Sequence, residues 1–330
     1  MVILSKELNS AKKVILITGG DGFIGGGLLN YFSELNGYYV IASSRKFHSS
    51  KSKDFIFLPN LDVDHSDGWI EALRGVDCVV HCAAKYHIKD EANLDLLSIC
   101  RKINVAGTMR LAKLAVAAGV KRFIFVSSLK VNGEISPVGM PFNENDPPNP
   151  TYPYGISKYE AEQALLEFGR ESGLEIVIIR PPPVYGPRVK ANFLAMMKFL
   201  NLRIPMPLAG IHNLRSYIGV NNLFDFIHVC IEHPKATGEI FLVSDDDDLS
   251  TTQLLNQMGI ALGKLPILFS LPKKLLTSAA NMAGKKYIPE LLFSNFQADI
   301  SKARNVLDWH PIFTVEEGMQ KTAVDFLRRS

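Results

Sequence analysis

VILITGGDGFIG, running from Val14 to Gly25, begins as a strand and ends as a helix. Val14–Thr18 is an unbroken apolar, β-branched run, the pattern of a strand covered on both faces, and such strands belong to parallel sheets. Gly19 ends the run and helical spacing takes over at Phe23. The glycines fit Gly20-x-Gly22-x-x-Gly25 and equally Gly19-x-x-Gly22-x-x-Gly25. Between a strand and a helix they permit a tight turn and a close approach of backbone to a pyrophosphate, and the helix N-terminus offers N–H groups to the anion. Gly19, Gly22, Phe23, Ile24 and Gly25 are therefore expected to hold a dinucleotide. Asp21 is the odd member, a carboxylate near the expected phosphates, and is read as a helix cap.

Working outward, further strands are expected at 38–42, 55–58, 78–82, 122–126 and 175–179, with helices at 69–73, 94–118 and 154–172. Strands alternating with helices predict an α/β, Rossmann-type doubly wound parallel sheet. Beyond Arg180 the texture changes. Pro181, Pro182, Pro183, Pro187, Pro205 and Pro207 make that stretch loop-rich. Helices follow near 191–201, 221–232 and 250–262, a strand at 239–243 rejoins the main sheet, and 265–330 is mostly helical. The expected division is a dinucleotide-binding domain of 1–180 plus about 219–243, and a smaller, mainly helical substrate cap of 181–218 and 244–330. Asp245–Asp248 is expected to be a solvated loop capping the helix that starts near Ser250.

The composition sets limits. The 330 residues are 47% hydrophobic, 21% charged and 9% aromatic, which excludes a disordered or collagen-like chain. A net charge of +3 does not suit a nucleic-acid-binding face. Cys78, Cys82, Cys100 and Cys230 show no metal-ligand spacing and read as buried thiols of a reducing compartment. The longest run without Asp, Glu, Lys or Arg, Leu249–Gly263, is too short and too polar for a membrane span, and the start of the chain lacks a signal-peptide pattern, so a cytoplasmic protein is expected.

Two further patterns carry chemistry. A nicotinamide site usually places Asp or Glu at the end of its second strand, to bond the ribose 2′-hydroxyl. Here that strand ends Ser43-Ser44-Arg45, and hydroxyls with a guanidinium would accept a 2′-phosphate. This predicts NADP(H) as the preferred coenzyme, with NAD(H) possible. On the helix at 154–172, Tyr154 and Lys158 stand at i and i+4, so phenol and ammonium share a face. Ser127-Ser128 ends the fifth strand, where active-site loops gather in an open α/β sheet. His81 sits on an apolar strand and reads as a core residue; His87 and His310 show no ligand spacing.

TGGDGFIG (18–25), HCAAKYH (81–87), FVSSLKVNGE (125–134), YPYGISK (152–158), RPPPVYGP (180–187) and DISKARNVLDWHP (299–311) together resemble the extended short-chain dehydrogenase/reductase family of epimerases, dehydratases and reductases. Within it, VKANFLAMMKFL (189–200), NLRSYIGVNNL (213–223) and FLVSDDDDLST (241–251) most resemble reductases of UDP-4-keto-6-deoxy-N-acetylglucosamine, which make UDP-N-acetyl-quinovosamine for O-antigen lipopolysaccharide.

The resemblance implies roles. Tyr154 would be the general acid/base, Lys158 would bond the nicotinamide ribose and lower the phenol, and Ser128 would hold the substrate oxygen. Ser128 is chosen over Ser127 for its spacing to Gly133, at which relatives carry Ser or Thr. An ammonium ~4 Å from a phenol is worth roughly 4 kcal/mol at an effective dielectric near 20, about three pKa units, which would bring the phenol near 7. Asp62 would read the adenine with Val63 beside it, Arg45 the ribose phosphate, and Ala83 would pass close to the coenzyme. Arg215 and Asn192 would hold the diphosphate of a UDP-sugar, and Lys85 and Lys130 flank the site. No metal is expected. Apolar surplus on the helices at 94–118 and 154–172 predicts a homodimer. Three other readings are weighed: a UDP-hexose 4-epimerase with tightly bound NAD, a non-catalytic NADP-sensing regulator, and a steroid-type dehydrogenase, which would be expected to carry a membrane anchor.

Overall fold

A computed structural model describes residues 12–44, 55–59, 68–86, 95–282, 284 and 287–329. The chain divides into two compact units. The first comprises the described residues of Met1–Val131, Pro150–Ile179 and Ile227–Ile240; the second comprises those of Asn132–Asn149, Arg180–Phe226 and Phe241–Ser330.

The first unit is built on β1 (Lys13–Thr18), α1 (Phe23–Ser33), β2 (Tyr38–Ser44), β3 (Phe55–Pro59), α2 (Trp69–Leu73), β4 (Cys78–His81), α3 (Leu96–Cys100), α4 (Thr108–Ala117), β5 (Arg122–Val126), α5 (Pro153–Ser172) and β6 (Glu175–Arg180). The six strands are parallel in the order β3-β2-β1-β4-β5-β6. β1, β4, β5 and β6 are buried almost throughout, which is why they read as continuous apolar runs. Leu111, Ala112 and Ala115 of α4 and Ala161 and Leu165 of α5 pack with Leu16, Phe123 and Phe125 of the sheet. Strand order reverses between β1 and β4, so the chain leaves their carboxyl ends in opposite directions and opens a crevice there. At the far edge the Gly238 N–H donates to the Ile176 carbonyl at 2.7 Å and the Ile178 N–H to the Glu239 carbonyl at 2.9 Å. There a seventh strand rejoins the sheet, as expected.

One helix differs from expectation. The predicted continuous helix at 94–118 is interrupted by a π-helical stretch, Arg101–Gly107. The buried Asn104 side chain lies inside it and is committed to partners outside the helix, the kind of side-chain demand that such a bulge satisfies.

The second unit pairs β7 (Val184–Tyr185) with β8 (Ile218–Gly219) and adds α6 (Ala191–Asn201). α7 (Val220–Glu232) and β9 (Ile240–Leu242) span the division between units. Then come α8 (Thr251–Ala261), α9 (Lys273–Met282), α10 (Tyr287–Phe293), α11 (Ser301–Leu307) and α12 (Val315–Arg329). Its core includes Tyr185 stacked on Phe193 and Phe226 edge-on to Trp309.

The acidic run Asp245–Asp248 departs from expectation at two of its four residues. Asp245 is buried and accepts the Tyr185 hydroxyl at 2.7 Å, the Gly219 N–H at 2.8 Å and the Asn222 amide at 2.7 Å. Asp248 accepts from the Ser216 hydroxyl and the Gln297 amide, each as a charge-assisted bond. Asp245 and Asp248 therefore tie loops together, whereas Asp246 and Asp247 are exposed, as expected of a solvated run. The cap of α8 is a capping box made by Ser250 and Gln253.

Candidate active site

The glycine-rich turn is packed so closely that side chains are excluded. Gly19 has φ +70°, and a Cβ there would stand 3.1 Å from the Ala83 backbone. A Cβ at Gly25 would stand 2.4 Å from the Gly19 carbonyl oxygen, and one at Gly22 2.9 Å from it. The Gly22 N–H closes the turn on that oxygen at 2.8 Å, and the Gly20 N–H donates to the Ser43 carbonyl at 2.9 Å. α1 then starts at Phe23 with no side chain capping it and no acid in its first turn. Asp21 is exposed and does not cap the helix, contrary to expectation. The first-turn N–H groups, at Phe23, Ile24 and Gly25, suit a pyrophosphate, so the turn fits a dinucleotide. Ala83 lies beside it, with its N–H donating to the Thr18 hydroxyl at 3.1 Å. Arg45, Asp62, Val63 and His87 lie outside the described residues.

Ser127 and Ser128 follow β5. Ser127 is buried and its hydroxyl donates to the buried Glu162 carboxylate. Ser128 is only half-buried, and its oxygen accepts the Lys130 N–H at 3.2 Å. α5 begins at Pro153, whose fixed φ suits a first helical position. Gly155 lets this helix start against the β5 loop: a Cβ there would be 2.9 Å from the Lys130 carbonyl. That approach sets Tyr154 and Lys158 in the same unit as the turn and Ser128. The Tyr154 ring meets the Tyr86 ring edge-on, centroids 4.8 Å apart. Lys158 is 1% exposed, with its Nζ 3.8 Å from the Phe125 ring centroid.

The electrostatics differ from the simple expectation. Burial first, then Tyr86 and Cys100, push the Tyr154 phenol above its ordinary value, so the phenol brought near 7 is not found. The group brought near neutrality is Lys158, which burial brings down to about 7 while Glu162 and then Cys82 hold it up. The proton poised near neutrality lies on the amine.

A hydrogen-bonded chain missed by sequence reasoning braces these groups. The Asn104 amide donates to the Ser157 hydroxyl at 2.9 Å and to the Lys85 carbonyl at 3.1 Å, while its oxygen accepts the Lys85 N–H at 2.7 Å. Ser157 donates to the Tyr154 carbonyl at 2.8 Å, joining this brace to the turn of α5 that carries Tyr154. Thr108 gives its only hydroxyl proton to the Asn104 carbonyl, so it accepts from His81 Nε2–H at 3.0 Å. That assigns His81 as the neutral Nε2–H tautomer, with Nδ1 accepting the Thr18 hydroxyl at 2.7 Å. Burial, then the charge of Lys158, lowers His81 to about 3, which agrees with a neutral core histidine. The one sequence signal for Asn104 was an amide in mid-helix, where it is disfavoured unless bonded elsewhere.

The remaining candidates are placed as follows. Lys85 is half-buried, with its backbone held by Asn104. Lys130 Nζ stands 5.8 Å from the Tyr152 ring centroid. In the second unit, Asn192 is exposed in the first turn of α6. Arg215 is buried there, donating to the Ser294 carbonyl at 3.1 Å with its guanidinium 5.1 Å from the Phe296 centroid. Among the described residues no cluster of His, Cys, Asp and Glu suits a metal, and no helix is long and apolar enough to cross a membrane.

Comparison with known proteins bears on this geometry. Residues 15–244 match the model of the NAD dependent epimerase/dehydratase family. The chain is 41% identical over 317 residues to a UDP-glucose 4-epimerase of Vibrio cholerae, covering 96% of each chain. It is 27% identical over 328 residues to the N-acetyl-alpha-D-glucosaminyl-diphospho-ditrans,octacis-undecaprenol 4-epimerase of Escherichia coli O157:H7, covering 93% of each. Among solved structures it is similar to the UDP-glucose 4-epimerase of Thermotoga maritima with UDP-glucose, with TM-score 0.76 and 26% identity over 96% of this chain and 99% of that one.

Proposed function

The chain belongs to the NAD dependent epimerase/dehydratase family, and from that premise we propose that it performs redox chemistry at C4 of a UDP-sugar, with 4-epimerisation as the net reaction. The observation that carries the reading is the gathering, in one unit, of the glycine turn, Ser128 on the β5 loop and the Tyr154–Lys158 pair on α5. A nicotinamide coenzyme, when bound, would supply the acceptor for the C4 hydride and the donor for its return. Gly19, Gly22, Phe23, Ile24, Gly25, Ala83 and Lys158 would hold it. Tyr154 Oη, in the phenolate form, takes the proton of the C4 hydroxyl and later gives it back to the C4 oxygen, which the Ser128 hydroxyl orients. Lys158, titrating near neutrality, stabilises the phenolate while charged. Buried Glu162 favours that charged form. Arg215, Asn192, Lys85 and Lys130 are proposed to recognise the nucleotide sugar, and Arg45, Asp62 and Val63 the adenosine end of the coenzyme. A homodimer through α4 and α5 belongs to the same proposal.

One observation favours a second reading, the reduction of UDP-4-keto-6-deoxy-N-acetylglucosamine to UDP-N-acetyl-quinovosamine or its C4 epimer. β2 ends in Ser43-Ser44 and offers no carboxylate to a ribose 2′-hydroxyl. That end suits exchangeable NADPH better than retained NAD. The 41% identical epimerase puts epimerisation first. A coenzyme-sensing regulator has no use for Tyr154 and Lys158, and both are present.

The test is to incubate the purified full chain with UDP-glucose or UDP-N-acetylglucosamine and no added coenzyme. Appearance of the C4 epimer by proton NMR supports epimerisation. Consumption of NADPH only with the 4-keto sugar replaces it with reduction. Neither outcome with any of these sugars overturns both.

A further inference from the structure

The second unit carries apolar side chains where a water-facing surface would carry polar ones. Residues 264–270 run beside 206–209 in extended form. The Met206 N–H donates to the Ile267 carbonyl at 2.9 Å, and the Phe269 and Ala209 N–H groups donate to the Met206 and Phe269 carbonyls, each at 3.1 Å. In such backbone alternate side chains face opposite ways. The outward set is Leu265, Ile267 and Phe269, exposed by 76%, 42% and 44%. Patterning for water puts polar residues in that set.

The surface continues at both ends. Lys264 Nζ donates to the Asn201 carbonyl at 2.8 Å and to its side-chain oxygen at 2.6 Å, at the end of α6, where Leu202 and Arg203 follow, both exposed. On the other side the chain enters α9 through Lys273 and Lys274, both exposed, with Leu275 exposed next to them. The two stretches that build this surface contain no carboxylate. Neither 176–224 nor 249–289 has an Asp or Glu.

We propose that this face docks on an anionic phospholipid bilayer, with Leu265, Ile267 and Phe269 entering the headgroup boundary and Arg203, Lys273 and Lys274 meeting lipid phosphates. Charge complementarity selects this occupant. A second copy placed symmetrically on the face would set cations against cations, with no carboxylate from these stretches to receive them. A bilayer accepts both halves of the pattern, and an apolar set beside a basic set is the combination that gives stable surface binding.

The experiment is flotation of the full chain with vesicles of phosphatidylcholine alone, or of phosphatidylcholine with an equal part of phosphatidylglycerol. Binding is expected to the mixed vesicles, weak with phosphatidylcholine alone, and reduced by salt. Lys273→Glu with Lys274→Glu should weaken binding at least ~20-fold, since each lysine near an anionic surface contributes roughly a fivefold factor. Leu265→Gln with Phe269→Gln should abolish retention, while both double variants keep the circular dichroism, urea midpoint and turnover of the wild type. Wild-type protein that stays out of mixed vesicles overturns the proposal, as does a folded double variant that binds equally well. Sedimentation velocity adds one further outcome. A wild-type dimer that the same variants split, without vesicle binding, assigns the face to self-association and overturns the proposal too.

Discussion

Lys158→Met should change how stability depends on pH. In the folded chain burial lowers the amine from 10.5 to about 7, while in the unfolded chain it titrates at its ordinary value. A base whose folded pKa is depressed contributes stability that is present above the unfolded value and lost as pH falls to the folded one. Between about pH 7 and 10.5 the wild type should therefore gain up to roughly 1.4 kcal/mol per pH unit relative to the variant, which has no amine to titrate. From pH 7 to 9 this sums to about 2–3 kcal/mol. Urea unfolding of both proteins at pH 6.5, 7.5, 8.5 and 9 reads the effect as a difference of free energies, so slow drifts common to both cancel. Parallel curves for wild type and variant would refute the reasoning, because Lys158 would then keep its ordinary proton affinity in the fold.

Three other predictions follow from the same geometry. Tyr154→Phe should lower turnover at least ~100-fold, the scale of general acid/base catalysis, while coenzyme binding measured by fluorescence is preserved. Gly25→Ala places a methyl 2.4 Å from the Gly19 carbonyl oxygen, and should cost about 1–3 kcal/mol in urea unfolding and weaken coenzyme binding, because the turn must open to admit it. Asn104→Ala leaves the Lys85 N–H and carbonyl without their side-chain partner, and should cost about 1–3 kcal/mol and lower kcat more than it raises KM, because Ser157 and the Tyr154 turn lose their brace.

The strands were legible because burial on both faces leaves continuous apolar runs, as in Val14–Thr18 and Arg122–Val126. The glycine turn was legible because close backbone approach admits only one residue type, and Gly25 shows the reason in its distance to Gly19. Tyr154 and Lys158 could be placed on one helix face by spacing alone. What spacing could not supply was environment. The shift near neutrality falls on Lys158 because the amine lies over Phe125 in the buried interior, a contact between residues far apart in the chain. Asn104 was hidden for a similar reason, since both its partners, Lys85 and Ser157, arrive from other elements. Asp245–Asp248 read as a solvated run because four acids in a row usually are; only the folded second unit brings Tyr185, Asn222 and Gly219 to Asp245.

The claim that redox at C4 is the chemistry of this chain is tested most directly with UDP-glucose carrying deuterium at C4. Incubated with the purified chain without added coenzyme, it should yield both C4 epimers with the deuterium still at C4, because the hydride leaves and returns without meeting solvent. Loss of the label to water, or turnover that leaves C4 uninverted and never oxidised, would contradict the account.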